Sequence, residues 1–197
     1  VKIVYIHGAT ASHNSFAYIE QNITEYEYFH IDYPKELPAE ENLKNITSAI
    51  KKNINEPFFI VSHSLGGIYS LYLLEQFKKK VVGVVSLATP FGGSESAILG
   101  KISFPSYQVF RDVTSFSPFI RNSLQIPVTV PWLQVVTTLG EVPWMLSPND
   151  GVVTRKSMMS RTDVEYIDIE SNHYEIVLSN RTVNIIKNRI NQIQPKS

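Results

Sequence analysis

The chain has 197 residues, 43% of them hydrophobic and 18% charged, which excludes disorder and permits a core burying about 70% of the unfolded chain's surface. Eighteen Lys and Arg balance 18 Asp and Glu, so no net charge draws the chain to nucleic acid or to anionic lipid. The absence of cysteine excludes thiolate chemistry, and no apolar run reaches the roughly 18 residues that stable membrane insertion needs.

The first predicted element is a short β-branched and aromatic strand at Lys2 to Ile6. It leads into His7-Gly8-Ala9-Thr10-Ala11-Ser12, small residues that let a backbone N–H come close to a ligand. A helix follows at about Ser15 to Asn22, a strand at Tyr26 to Ile31, and a helix at Ala39 to Ile54. Strand Phe58 to Ser62 then runs straight into a helix over Leu65 to Lys80, whose terminal Lys78, Lys79 and Lys80 suit the negative end of its dipole. Further strands are expected at Val81 to Leu87, Leu133 to Leu139 and Val164 to Ile169. A final helix spans Tyr174 to Ile193, with Ile176, Val177, Val183, Ile186, Ile190 and Ile193 in one buried stripe. No repeat, low-complexity tract or Gly/Ser linker interrupts the pattern, so residues 1–197 read as one domain. The alternation predicts an α/β fold: a three-layer α/β/α sandwich on a mostly parallel six-stranded sheet, with ligands at the carboxyl ends of the strands.

Residues 91–131 break that rhythm. The segment carries Phe104, Tyr107, Phe110, Phe116 and Phe119 among prolines and serines, too long for a plain connection and too aromatic for disorder. Two readings stand side by side: a cap or pocket wall over the site, or an ordinary crossover helix packed on the sheet.

The chemistry centres on Ser62-His63-Ser64-Leu65-Gly66-Gly67. A strand turning abruptly into a helix holds the central serine in a strained conformation with its hydroxyl exposed, and needs small residues two positions away on each side. Ser62 and Gly66 meet that need, with Ser62 standing where the usual pattern has glycine. A serine nucleophile needs a base and donors for the developing oxyanion. The backbone N–H groups of Ala9 and Leu65 are the expected donors, with Thr10 as the alternative to Ala9. His173 is the expected base because it follows the last strand. Asp150, in Asn149-Asp150-Gly151, is the expected carboxylate, although that tripeptide is also a common turn; Asp112, Asp163 and Asp168 are the alternatives. His7 is read as a structural residue that fixes its loop, and His13, His30 and His63 as packing or solvent contacts. Thr10, His63, Phe91, Phe104 and Phe116 are expected to line the pocket.

These residues together resemble the α/β-hydrolase superfamily, particularly its compact bacterial lipases and esterases. The likeness rests on His7-Gly8, on the Ser64 segment, on Ala88-Thr89-Pro90-Phe91-Gly92-Gly93-Ser94 and on Asp150-Gly151-Val152-Val153. Phe110 to Phe119 is similar to a cap-side segment of some lipase-like members. The resemblance implies a sheet without the first two strands of larger members, a Ser64-His173-Asp150 triad, an acyl-serine route with no cofactor or metal, and a small or lipid-like acyl ester as substrate. The same constellation permits thioester hydrolysis or acyl transfer, and a catalytically silent binding protein of this fold is the rival from another class. Neutral charge and the lack of a leader lead to an expected cytoplasmic location, with a removed secretion signal as the alternative. Nothing in the pattern specifies an oligomeric state.

Overall fold

The computed structural model describes residues 1–140, 142, 145 and 147–193. Within the described residues six strands, β1 (Lys2–Ile6), β2 (Tyr28–Ile31), β3 (Phe58–His63), β4 (Val81–Leu87), β5 (Trp132–Thr137) and β6 (Glu165–Ile169), form one sheet in the order β2-β1-β3-β4-β5-β6. Every neighbouring pair is parallel. The central strand β3 is buried at all six positions, whereas the edge strands β2 and β6 are partly exposed.

Among the described residues, eight α-helices accompany the sheet: α1 (Ala17–Asn22), α2 (Ala39–Asn53), α3 (Leu65–Gln76), α4 (Ser96–Ser103), α5 (Gln108–Asp112), α6 (Pro118–Ser123), α7 (Arg155–Met158) and α8 (Asn180–Ile193). Because strand side chains alternate, Val4, Ile6, Phe58 and Ile60 bury against α2, α3 and α6 on one face. Ile3, Tyr5, Phe59 and Val61 bury against α1 and α8 on the other. Sheet and helices together make a three-layer α/β/α sandwich. The chain builds β1 and β2 toward one edge, then crosses back over β1 to place β3. Loops leaving β1 and β3 therefore diverge, and such a switch point opens a crevice at the carboxyl ends of those two strands.

Three departures from the sequence-based expectations have local causes. Helix α3 stops at Gln76 because Phe77 turns inward, its ring 5.6 Å from that of Phe58. The lysine run thus lies in a turn, and Lys80 Nζ donates to the carbonyl of Ile54, the residue that closes α2, at 3.3 Å. It serves the end of a different helix from the one expected. The last helical stretch divides into a 3₁₀ turn, Glu175–Leu178, and α8, because Ser179 is extended and its Oγ accepts the Arg181 N–H at 3.2 Å.

The long segment after β4 forms three short helices, α4, α5 and α6. Helix α6 packs against α3, with Phe119 stacked on Tyr72 at 4.6 Å and buried along with Ile120. Helix α4 lies farther out, leaving Ile98, Ile102 and Phe104 exposed. Among the described residues, no helix is long and apolar enough to cross a membrane.

Candidate active site

Strand β3 ends at the crevice and turns into α3 through Ser64, whose φ of 51° and ψ of −123° lie outside the regions side-chain-bearing residues favour. The turn is held by the Ser64 N–H, which donates to Leu87 O at 2.8 Å. Close packing explains the glycines that follow: a Cβ on Gly66 would lie 2.2 Å from Ile6 O, and one on Gly67 would lie 1.9 Å from Thr89 Oγ1. Ser62 is tolerated in place of glycine because it is still a strand residue, fully buried between Ile6 of β1 and Ser86 of β4. Ala88, at the end of β4, also has a φ of 51°, so backbone strain gathers at this edge of the sheet.

The loop after β6 brings His173 to the elbow. Its Nε2 is 3.0 Å from Ser64 Oγ, and its Nδ1 is 2.7 Å from Asp150 Oδ2. The His173 N–H also donates to the Asp150 carbonyl at 3.2 Å, tying the two loops together. Asp150 is almost fully buried, and burial alone pushes its carboxyl toward the neutral form. Hydrogen bonds from His173, Thr137 and the Val153 N–H outweigh that and hold its pKa below the usual carboxylate range. Oδ2 also accepts the Thr137 hydroxyl, while Oδ1 accepts the N–H groups of Val152 at 3.0 Å and Val153 at 2.7 Å. The turn reading of Asn149-Asp150-Gly151 holds at the same time, since Asn149 Oδ1 accepts the Gly151 N–H at 3.0 Å. Thr137 escaped the sequence reading; its one signal is a hydroxyl residue closing the strand that precedes the carboxylate.

The alternative carboxylates are engaged elsewhere. Asp112 accepts the Ala39 N–H at the start of α2, Asp163 pairs with Arg161, and Asp168 pairs with Arg155. His7 is buried with its ring stacked on Tyr33, 4.3 Å between centroids.

His63 is buried beside the catalytic candidates, its Nε2–H donating to the His173 carbonyl at 2.8 Å. That bond assigns the proton to Nε2 and leaves Nδ1 bare, without a partner among the described residues. Burial, reinforced by the neighbouring His173, pushes the His63 pKa down to about 3. An unfolded histidine titrates near roughly 6.5, so below that pH the unfolded chain binds the extra proton and the folded one does not. Stability contributed by the neutral ring is therefore lost as the pH falls from about 6.5 toward 3. Urea unfolding should show His63→Gln losing about 2 kcal/mol less than the parent between pH 7 and pH 5. Parallel losses in both proteins would show that His63 does not carry this dependence.

Above Ser64 lies a cavity of about 340 Å³, walled mainly by apolar groups. Ala9, Thr10, His63, Ser64 and His173 line it, as does Phe110, which the sequence reading had not singled out as a pocket residue. Three predicted pocket residues lie elsewhere. Phe91 is fully buried, its ring 5.9 Å from Trp132; Phe104 stacks on Tyr107 at 5.4 Å; Phe116 is 81% exposed. The reason is direction: Phe91 enters the core beneath the loop, whereas Phe104 follows α4 and Phe116 precedes α6, both with exposed side chains. Phe110 lies on α5 and packs against α4 at Gly100, where a Cβ would meet its ring at 2.7 Å.

The family model of lecithin:cholesterol acyltransferase matches residues 35–193. The chain belongs to that family. No curated protein sequence matches it. Among solved structures, this lecithin:cholesterol acyltransferase family member is similar to the mature form of a Bacillus licheniformis lipase, with 18% identity, a TM-score of 0.79, and coverage of 96% of this chain and 91% of that one. It is also similar to a metagenomic carboxyl esterase, at 14% identity, 98% and 75% coverage and a TM-score of 0.77. Phospholipase PlaB from Legionella pneumophila aligns at 12% identity over 99% of this chain and 59% of that one, with a TM-score of 0.75. At such identities the likeness establishes the lipase- and esterase-type α/β-hydrolase fold. Residues 8–12 lie ahead of the segment the family model matches.

Proposed function

We propose that this family member hydrolyses carboxylic esters through an acyl-serine intermediate. The observation that carries the reading is the continuous hydrogen-bonded line from Ser64 Oγ to His173 at 3.0 Å and from His173 to Asp150 at 2.7 Å, opening into an apolar cavity. Ser64 Oγ attacks the acyl carbonyl as His173 Nε2 takes its proton. Asp150 holds the imidazole with its proton on Nδ1 and stabilises the imidazolium. The N–H groups of Ala9 and Leu65 receive the oxyanion, His173 returns the proton to the leaving alcohol, and water releases the acyl group by the same steps.

Support for a fatty rather than a polar acyl group comes from the cavity wall, which includes Ala97, Phe110, Val113, Val153 and Val177. A fluorophosphonate probe should label Ser64 in the folded protein, with the adduct located by mass spectrometry. Across p-nitrophenyl esters, kcat/KM should rise from the acetate to medium chain lengths. An unlabelled Ser64 would favour a silent binding protein, and a preference for short polar esters would count against the acyl-chain reading.

A second reading, transfer of the acyl group to an alcohol or thiol, draws on the name of the matched family. It uses the same acyl-serine and differs only in the acceptor. Adding a long-chain alcohol should divert acyl groups into a new ester if this reading is right, while hydrolysis alone would retain the first.

A further inference from the structure

We propose that Asp32 is a positioning residue that holds the loop of residues 8–12 in the shape that presents its N–H groups to the reacting carbonyl; this rests on the acyl-serine reading above. Strands β1 and β2 pair with Ile6 opposite Ile31, so His7 and Asp32 leave the sheet side by side. From His7 the chain makes a turn, closed by the Ala11 N–H on the Gly8 carbonyl at 3.3 Å, and enters the 3₁₀ turn His13–Phe16. Ala9 and Thr10 occupy the middle of that turn, and neither N–H is taken up by another described residue. One flank of the loop rests on the elbow, since a Cβ on Gly8 would lie 3.1 Å from Ser64 Cβ and 3.2 Å from His63 Nδ1.

The two ends of the loop are held by different means. Upstream, the His7 carbonyl accepts the Tyr33 hydroxyl at 2.8 Å, and His7 Nδ1 donates to the Gly8 carbonyl at 2.7 Å. Downstream the hold is Asp32: Oδ1 accepts the His13 N–H at 2.8 Å and Oδ2 pairs with His13 Nδ1. The 3.4 Å approach of Oδ1 to His7 Nε2 adds no ion pair, because burial keeps His7 neutral with its proton on Nδ1.

Position, not stability, is what this clamp controls. The Asp32 and His13 side chains are 51% and 44% exposed, and an ion pair that open to water contributes little to folding. A charge-assisted bond to a backbone N–H is directional, however, and displacement of an oxyanion donor by about 1 Å costs a factor on the order of 100 in rate.

The test compares Asp32→Ala with Asp32→Asn, whose amide oxygen can still accept the His13 N–H. Asp32→Ala should lower kcat on an aryl ester about 10- to 100-fold with KM within about twofold, and Asp32→Asn should recover most of that loss. The second readout is inhibition by a trifluoromethyl ketone, which forms an Oγ–C bond to Ser64 while the proton passes to His173 and the carbonyl electrons become an oxyanion. Its Ki should rise in Asp32→Ala by the factor kcat falls, with Tm changed by less than about 2 °C. Unchanged kcat in Asp32→Ala, or loss of activity in step with Tm in both variants, overturns the proposal. An active wild type labelled at Ser64 whose kcat ignores Asp32→Ala sinks this inference alone; a wild type that resists labelling sinks the acyl-serine reading beneath it.

Discussion

Ser64→Ala should lower ester turnover by a factor on the order of 10⁴ to 10⁶, with KM little changed. On the proposed mechanism the methyl group cannot form the acyl bond, and the surviving N–H donors of the proposed oxyanion site provide only the remainder of the rate enhancement. The described protein partner of Ser64 Oγ is His173, so the substitution removes one hydrogen bond and leaves the elbow backbone as it is. A companion variant separates chemistry from folding. Glycine adopts a φ of 51° with ψ of −123° without the penalty a Cβ incurs, so Ser64→Gly should be equally inactive yet more stable than Ser64→Ala by about 1 kcal/mol. For a chain of this length that corresponds to a Tm about 2–4 °C higher. Retained turnover in a pure, folded Ser64→Ala preparation would refute Ser64 as the nucleophile.

Asp150→Asn should cost about 10⁴ in kcat through a different physical route. The carboxylate accepts from every group around it: Thr137, the N–H groups of Val152 and Val153, and His173 Nδ1. An asparagine keeps its oxygen on the two N–H groups and turns its amide protons toward the imidazole. His173 must then expose a bare Nδ1 to them and carry its proton on Nε2, where it cannot accept one from Ser64. The pH profile provides a further check. Because the Asp150 pKa lies below the usual carboxylate range, the stability its ionised form contributes is present above the ordinary carboxylate pKa and disappears only as the pH falls through the lower folded value. An Asp150→Asn variant within tenfold of wild-type kcat would remove Asp150 from the mechanism.

Local pattern was enough to read β1 and β4, whose observed limits, Lys2–Ile6 and Val81–Leu87, are those expected from their apolar β-branched runs. The Ser64 elbow was legible for the same reason: strand, small residues and helix succeed one another within ten positions, and the close approach of Gly66 to Ile6 admits no side chain. The amphipathic stripe of α8 was equally local, with Val183, Ile186 and Ile190 all buried.

What the chain by itself determined, then, was the series of strands, the elbow and the set of residues able to act there, because these depend on the periodicity and size of neighbours in sequence. Only the tertiary structure decided which late carboxylate meets His173, that Thr137 supports it, that Lys80 serves α2, and that Phe110 rather than Phe104 or Phe116 walls the cavity. Those choices depend on the parallel register of β5 with β6 and on the directions in which loops leave the sheet. They are long-range quantities, set when distant segments pack, and no window of the sequence contains both partners.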